Sequence, residues 1–508
     1  MFLFKLYSMV KEAKQNSVMK INFKNKHKQV KGTSAYHMAL DLVEDGSEIE
    51  LEKSKIEKLP PNITSKMLYK DIVNIAWPSV VELTLTQLAS MVDLMMVGKL
   101  GPWALSAIGL TIQPKFLLMT LFMSMNVGAT AMVARYKGAD NPEKGNLILR
   151  QSLLITLIFS LLASVIGFIY SEPLVRFMGA ADQQTLSGGT IYLQIQMIGF
   201  TFMALTSTIT ATLRGVGNSR TAMIYNLTAN VVNVIFNYLL IGGNLGFPRM
   251  EVVGASLATI IGQFIAFVIA FIYITKGDQY LHLRFEEGFR PDKEALKQIF
   301  TIGIPAMIEQ LVMRFGVIIY VKTIAGLGTI AYATHQVCMS IQSVSFMNGQ
   351  GFAVSATSLT GQSLGKKRHD MANSYVMRTR RIGMIVSIIM GTIFIFWGGN
   401  IISLYTDDLS VISTGAKIMI FIGLSQPFQS SQFILTGALR GAGDTRAIAL
   451  ITFATVLIVR PFLAIFLINY FNMGLEGAWY AFIVDQLLRS LFILLRYRNG
   501  SWKDIKIN

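Results

Sequence analysis

Asp93 and the asparagines Asn226, Asn230, Asn233 and Asn237 are the residues of this chain whose types and spacing point to chemistry. Asp93 lies in an apolar run with Glu82 eleven residues before it, about three helical turns, so both acids fall on one stripe of a helix. An ionisable side chain inside a membrane span costs a few kcal/mol or more, so it normally faces a cavity or a partner. The chemistry open to such a carboxylate is ion exchange. Withdrawn from water it favours its protonated form, whereas amide oxygens around it can instead cage Na⁺. The asparagines are spaced by four, three and four residues, which puts all four amides on a single helical face. That face reads as part of a hydrated site. The alternative is that the amides join helices by hydrogen bonds, a common use in membranes.

A second acid enters through an internal repeat. Pro78 and Glu82 reappear as Pro305 and Glu309, Leu100-Gly101 as Leu327-Gly328, and Ala129-Thr130 as Ala356-Thr357, all displaced by 305 − 78 = 227 positions. The echo continues as Leu213-Arg214-Gly215 with Gly217 and Arg220 against Leu439-Arg440-Gly441 with Gly443 and Arg446, then as Gly254-Ala255 with Gln263 against Gly477-Ala478 with Gln486. A period this long matches the internal halves of secondary transporters, which enclose a site between two similar bundles. Glu82 and Glu309 each follow a proline by one turn. They serve either to satisfy backbone groups freed by the kink or to take part in ion transfer, and both readings stand at this level. The Asp93 site is not duplicated. Asp93 becomes Tyr320, and the asparagine stripe becomes Thr452, Val456, Val459 and Leu463. The second half carries Glu309, Arg314, Lys322, Arg460, Asp485 and Arg489 instead, of which Asp485 and Arg489, four apart, are expected to pair along their helix.

The elements that must hold these residues are membrane spans. The 508-residue chain is 52% hydrophobic and only 15% charged, far more apolar than an average soluble protein. Apolar segments of about 20 residues, enough to cross a bilayer, recur with short polar breaks. They fall near 71–98, 104–134, 147–170, 190–213, 220–241 and 253–275, and again near 297–324, 330–360, 380–400, 413–438, 446–470 and 476–496. The expected fold is therefore an all-α polytopic membrane protein with about twelve transmembrane helices in two six-helix bundles, 67–275 and 297–496. Residues 276–296 form a cytoplasmic connector, read as a tether, with 1–66 and 497–508 as cytoplasmic tails. The first tail lacks a signal-peptide core and is expected to be disordered.

Basic residues alternate between the breaks. Arg135, Lys137, Lys144 and Arg150, then Arg214 and Arg220, then Lys276 to Lys297, mark one side, and the matching breaks of the second half do the same. Because cytoplasmic loops accumulate Lys and Arg, that side is read as cytoplasmic, with both termini on it, in a multi-pass protein of the cell membrane. The net charge of +16 then reflects topology, and nucleic acid is not an expected partner because no compact soluble domain presents the basic residues. The single cysteine, Cys338, excludes an intrachain disulfide and is expected to pack. There is no HExxH, no GxSxG in a strand-turn-helix context, no phosphate loop and no cluster among the five histidines, so an enzyme is not expected.

Several of these motifs resemble a known family. Ile75-Ala76-Trp77-Pro78 through Met91-Val92-Asp93, then Val97-Gly98-Lys99-Leu100-Gly101, is similar to the first span of multidrug and toxic compound extrusion (MATE) transporters. So are Gly128-Ala129-Thr130 with Gly138-Ala139-Asp140, and the paired Leu-Arg-Gly-x-Gly motifs. The resemblance covers about residues 70–495. It implies two six-helix bundles forming a V-shaped, rocker-type exporter of organic cations and drugs, coupled to Na⁺ or H⁺ entry. It also implies that Asp93 is the coupling carboxylate, and that Asn233 and Asn237 stand where one branch has an Asn and an Asp. In another branch acids line the second lobe, where this chain has Glu309 and Gln429.

The expected coupling set is thus Asp93, Asn230, Asn233, Asn237 and Glu309, with no cofactor beyond Na⁺ or H⁺ and no metal beyond a Na⁺ at Asp93. A substrate wall is expected from Gln87, Met91, Gln113 and Gln194, with Gln342 and Gln429 opposite, facing a small cationic or amphipathic solute in a monomer within the lipid bilayer. The runner-up is a flippase of lipid-linked precursors, which calls for a cationic cavity where only Lys115, Arg314, Lys322 and Arg460 are candidates. A membrane-embedded enzyme ranks below it.

Overall fold

A computed structural model describes residues 59, 63–180, 182–277 and 279–505. Most of the expected N-terminal tail, 1–66, lies outside the described residues. The described part is helical, with no strand among the described residues. The first lobe comprises α1 (Ser65–Gly98), α2 (Pro102–Gly138), α3 (Pro142–Ile169), the short α4 (Ser171–Phe177), α5 (Gln183–Gly215), α6 (Ser219–Gly242) and α7 (Glu251–Thr275). The second comprises α8 (Lys293–Ala325), α9 (Thr329–Gly365), α10 (His369–Ser403), α11 (Leu409–Ala442), α12 (Thr445–Thr452), α13 (Arg460–Asn469) and α14 (Gly474–Arg498). A π-helical stretch, Phe453–Val459, joins α12 to α13 in one span. Among the described residues, eleven spans are long and apolar enough to cross a membrane. The twelfth expected span, α9, is helical for 37 residues, but Ser, Gln and Asn side chains between Ser340 and Gln350 make it too polar to be counted with the others.

The repeat reappears as packing. In each lobe the first span lies on the fifth, the second on the fourth, the third on the fourth, and the fifth on the sixth. The repeated motifs are the points where these helices come closest. Thr130 Oγ1 donates to Ala211 O at 3.0 Å, and its counterpart Thr357 donates to Gly437 O at 2.9 Å. Beside them, a Cβ on Gly215 would lie 2.8 Å from Thr130 O, and one on Gly441 2.3 Å from Thr357 O. Only glycine lets those backbones approach, the usual device of helix pairs in lipid. Gly217 and Gly443 then turn the chain at φ 87° and 86°, a region L side chains avoid.

The lobes meet through α1 on α9 and α2 on α8, with α2 also against α9. Near the basic loops the contact is tight. A Cβ on Gly138 would lie 1.9 Å from Gln362 O, Ser358 and Gln362 donate to Gly215 O at 2.9 and 3.1 Å, and Tyr375 donates to Asp71 at 2.8 Å. At the opposite end no hydrogen bond or ion pair joins the lobes among the described residues. The connector is more than a tether. Leu281 and Leu283 are buried against the first lobe, Asn146 brackets it through Tyr280 O and His282 N, Gln151 bonds Arg290 O, and Arg150 pairs with Glu287. Burial, then the nearby Asp140 charge, pushes the Tyr280 hydroxyl up to about 12. The C-terminal tail docks as well, with Trp502 buried and stacked on Tyr497. Cys338 is buried and free.

Candidate functional site

The asparagine face of α6 lies along the acidic stripe of α1 as a ladder. Asn226 Nδ2 donates to Glu82 Oε1 at 2.7 Å, Asn230 Nδ2 to Thr86 Oγ1 at 2.8 Å, and Asn237 Nδ2 to Asp93 Oδ1 at 2.6 Å. The sequence separation is 144 at each rung, which requires the two helices to run parallel in register. Asn233 completes the site. An amide oxygen turned toward a carboxylate would be repelled, so its nitrogen faces Asp93, donating to both oxygens at 2.9 Å. Its oxygen then accepts from Thr259 N and Oγ1 at 3.2 and 3.3 Å. Thr259 in turn bonds the Tyr192 hydroxyl. Asn233 and Asn237 are buried, whereas Asp93 is partly exposed.

Three other acids deep in the spans, Glu82, Glu309 and Asp485, are ion-paired. Glu82 meets Arg214 at 2.8 Å and Glu309 meets Arg440 at 2.7 Å, a repeat-related pair of salt bridges. Asp485 accepts from Arg489 at 2.6 Å and is also bridged by Arg460. Among the described residues Asp93 has no basic partner.

Of the five residues expected to act together, the structure gathers Asp93, Asn233 and Asn237. Asn230 sits two turns away on Thr86, and Glu309 lies in the other lobe with Arg440. Arg214 and Arg440, read as loop charges, are instead the last turns of α5 and α11 and reach inward. Their near-equal separations from Glu82 and Glu309, 214 − 82 = 132 and 440 − 309 = 131 residues, were the available signal. Thr259 and Tyr192 carried none, because a threonine and a tyrosine in apolar helices look like packing.

The expected substrate wall is divided. Gln87, Met91 and Gln194 are half-buried and Gln113 is exposed. Gln342 and Gln429 are sealed inside the second lobe, each 3% exposed, with Oε1 atoms lacking a partner among the described residues. Their length lets a glutamine bury its amide behind an apolar stem, which spacing alone does not reveal. The basic candidates are dispersed too: Lys115 donates to Gln196 at 2.7 Å, Arg314 lies over Phe116 at 4.5 Å, and Arg460 is buried. A cavity of about 220 Å³ lies elsewhere, under the connector, between Leu153, Leu157, Ile209, Phe267 and Leu283.

A duplicated two-lobe bundle of long apolar helices, with polar groups turned inward, defines a multi-pass membrane protein. The sequence model of the MatE family matches residues 78–239 and again 305–466, displaced by 305 − 78 = 227, the offset of the internal repeat. The chain belongs to this family, that of the multidrug and toxic compound extrusion transporters. It is 29% identical over 441 residues to the probable multidrug resistance protein NorM of Thermotoga maritima, covering 85% of this chain and 93% of that one. It is 24% identical over 432 residues to the uncharacterized transporter YisQ of Bacillus subtilis, covering 85% and 94%. Among solved structures, it superposes on MATE in the bent conformation with a TM-score of 0.79 at 21% identity, covering 86% of this chain and 96% of that one. It likewise superposes on an outward-facing multidrug resistance MATE family transporter of the MOP superfamily, with a TM-score of 0.80 at 20% identity, covering 86% and 97%.

Proposed function

We propose that this protein exports drug-like, cationic or amphipathic solutes across the cell membrane by exchanging them for a cation bound at Asp93. The observation that carries the reading is the isolation of Asp93: three other acids in the spans are neutralised by arginine, whereas this one has only amides. The names of relatives such as the Thermotoga maritima protein support the solute class.

The amides suit exchange because each presents either face. Toward a bare carboxylate Asn233 and Asn237 turn their NH₂ groups, and toward bound Na⁺ or a protonated acid they turn their oxygens. Asn237 Oδ1 is buried without a partner among the described residues, an acceptor held in reserve for that second state. Entry of one positive charge down a 100 mV potential supplies roughly 2.3 kcal/mol, about a fiftyfold gradient of a neutral solute. One carboxylate is therefore enough for a neutral solute, whereas exchange for a monovalent cationic solute is electroneutral and draws on the concentration gradient of the coupling ion. With the basic loops inside, both termini are cytoplasmic, and the lobes are joined on the cytoplasmic side and parted toward the exterior. Rocking about the α1–α9 and α2–α8 contacts would expose Asp93 to each side in turn.

The test is efflux of a cationic dye from proteoliposomes, driven separately by Na⁺ and by pH gradients. Asp93→Asn is expected to insert and fold while losing efflux under both. Normal export by that variant would refute the assignment, and independence from both gradients in the unaltered protein would refute antiport.

A further inference from the structure

The repeat gives each residue around Asp93 a counterpart in the second lobe. Tyr320 stands for Asp93 at an offset of 320 − 93 = 227, and Val459 and Leu463 stand for Asn233 and Asn237 at 446 − 220 = 226. Phe482 stands for Thr259 at 477 − 254 = 223. In the first lobe these positions surround a carboxylate. In the second, two of them, Tyr320 and Phe482, flank a guanidinium: Arg460 lies 5.6 Å from the Tyr320 ring centroid and 4.8 Å from that of Phe482. A cation over an aromatic face is attracted by the ring quadrupole. Arg460 is also bonded through Nε to Asp485 at 3.0 Å and is only 4% exposed.

The helix geometry explains how a residue absent from the asparagine stripe reaches this point. The counterpart of Arg460 is Val234, beside Asn233 and off its face. α6 is regular from Ser219 to Gly242, whereas its partner span is π-helical from Phe453 to Val459, directly before Arg460. A π-turn closes its hydrogen bonds one residue later than an α-turn, and such stretches are frequent at functional sites. The extra residue rotates position 460 onto the face that position 233 occupies in the first lobe.

We propose that Arg460 is a tethered stand-in for the coupling cation. It fills, between the counterparts of Asp93 and Thr259, the locus that the first lobe leaves to a mobile ion, so the second lobe is permanently loaded and the chain exchanges one cation per cycle. The count of one rests on Asp93 being the coupling site, as proposed above; the cation at Arg460 does not. Asp485 is the counter-charge, and its Oδ1 is buried with no partner among the described residues. Removing the arginine side chain leaves Asp485 paired with Arg489 alone, its Oδ1 open beside two aromatic faces, a receptacle for a small planar cation.

The experiment uses the full chain carrying Arg460→Ala in liposomes, with methylguanidinium as the probe at low millimolar concentration and urea as the uncharged control. Melting temperature and efflux are expected to fall, efflux by about tenfold or more, and methylguanidinium but not urea is expected to raise both. Wild type should show no such response. No methylguanidinium effect on the variant, or wild-type export by Arg460→Met without added cation, overturns the proposal. Should Arg460→Ala fail to reach the membrane, ion counting on the wild type decides, by bound radiolabelled Na⁺ and by protons released. One cation per chain, lost in Asp93→Asn, supports the proposal; two per chain, or one that survives Asp93→Asn, overturns it. Normal export by Asp93→Asn sinks the coupling site alone and leaves methylguanidinium rescue to uphold the tethered cation.

Discussion

The two lobes share one scaffold and treat charge in opposite ways. In the first, an acid has no base: Asp93 is held by Asn233 and Asn237. In the second, two bases share one acid, as Arg460 and Arg489 converge on Asp485. Yet one turn beyond the kink prolines the lobes agree, since Glu82–Arg214 and Glu309–Arg440 are the same bridge built twice. The difference separates two kinds of repeated residue. Those that hold helices together have been kept in both copies, and those that face the site have diverged.

The comparison breaks most readily at Asp93. Asp93→Asn is expected to abolish gradient-driven dye efflux while leaving the protein folded. At the counterpart position Tyr320→Phe should cost only about 1 kcal/mol, from loss of the hydroxyl bond to Ala478 O at 2.8 Å, and should leave coupling intact. Coupling lost in Tyr320→Phe would erase the functional asymmetry.

The shared bridges are expected to act alike. Glu82→Gln and Glu309→Gln each strand a largely buried arginine, and each should lower stability by about 3–5 kcal/mol, read by thermal unfolding. A Glu309→Gln protein that melts normally but no longer exports would return Glu309 to the coupling set.

The smallest effect lies at the helix caps. Asp182 and Asp408, displaced by 408 − 182 = 226, cap α5 and α11. The Thr185 backbone N–H, then its hydroxyl, hold the Asp182 carboxyl below its usual range. A depressed carboxylate stabilises the fold above its unfolded value of about 3.9, and that contribution is lost as the pH falls from there through the lowered folded value. Asp182→Ala should therefore reduce melting temperature slightly at neutral pH and not at all at the acid end. An equal deficit at both would show that the cap acts through packing.

Much of this organisation was legible in one dimension. Apolar runs marked the spans, and the 227-residue offset marked the duplication, because a bilayer requires long apolar helices and a repeated bundle keeps its contact residues. Asp93 with Asn233 and Asn237 was legible because polar groups in such runs are few. The π-stretch was not legible: Phe453–Val459 is an ordinary apolar sequence with no local mark of a wider turn. Nor was the role of Arg214 and Arg440, since a basic residue at a helix end reads equally as a loop charge.

By itself the sequence determined the solvent, the number of bundles and the short inventory of polar groups that the spans must accommodate, since each follows from local hydropathy and spacing. Tertiary structure alone decided which of those groups meet. Whether an acid is neutralised by arginine or left among amides depends on the register between helices more than a hundred residues apart, as in the pairs Glu82–Arg214 and Asp93–Asn237. That register is set by close backbone packing across the bundle, a property no local stretch of chain contains.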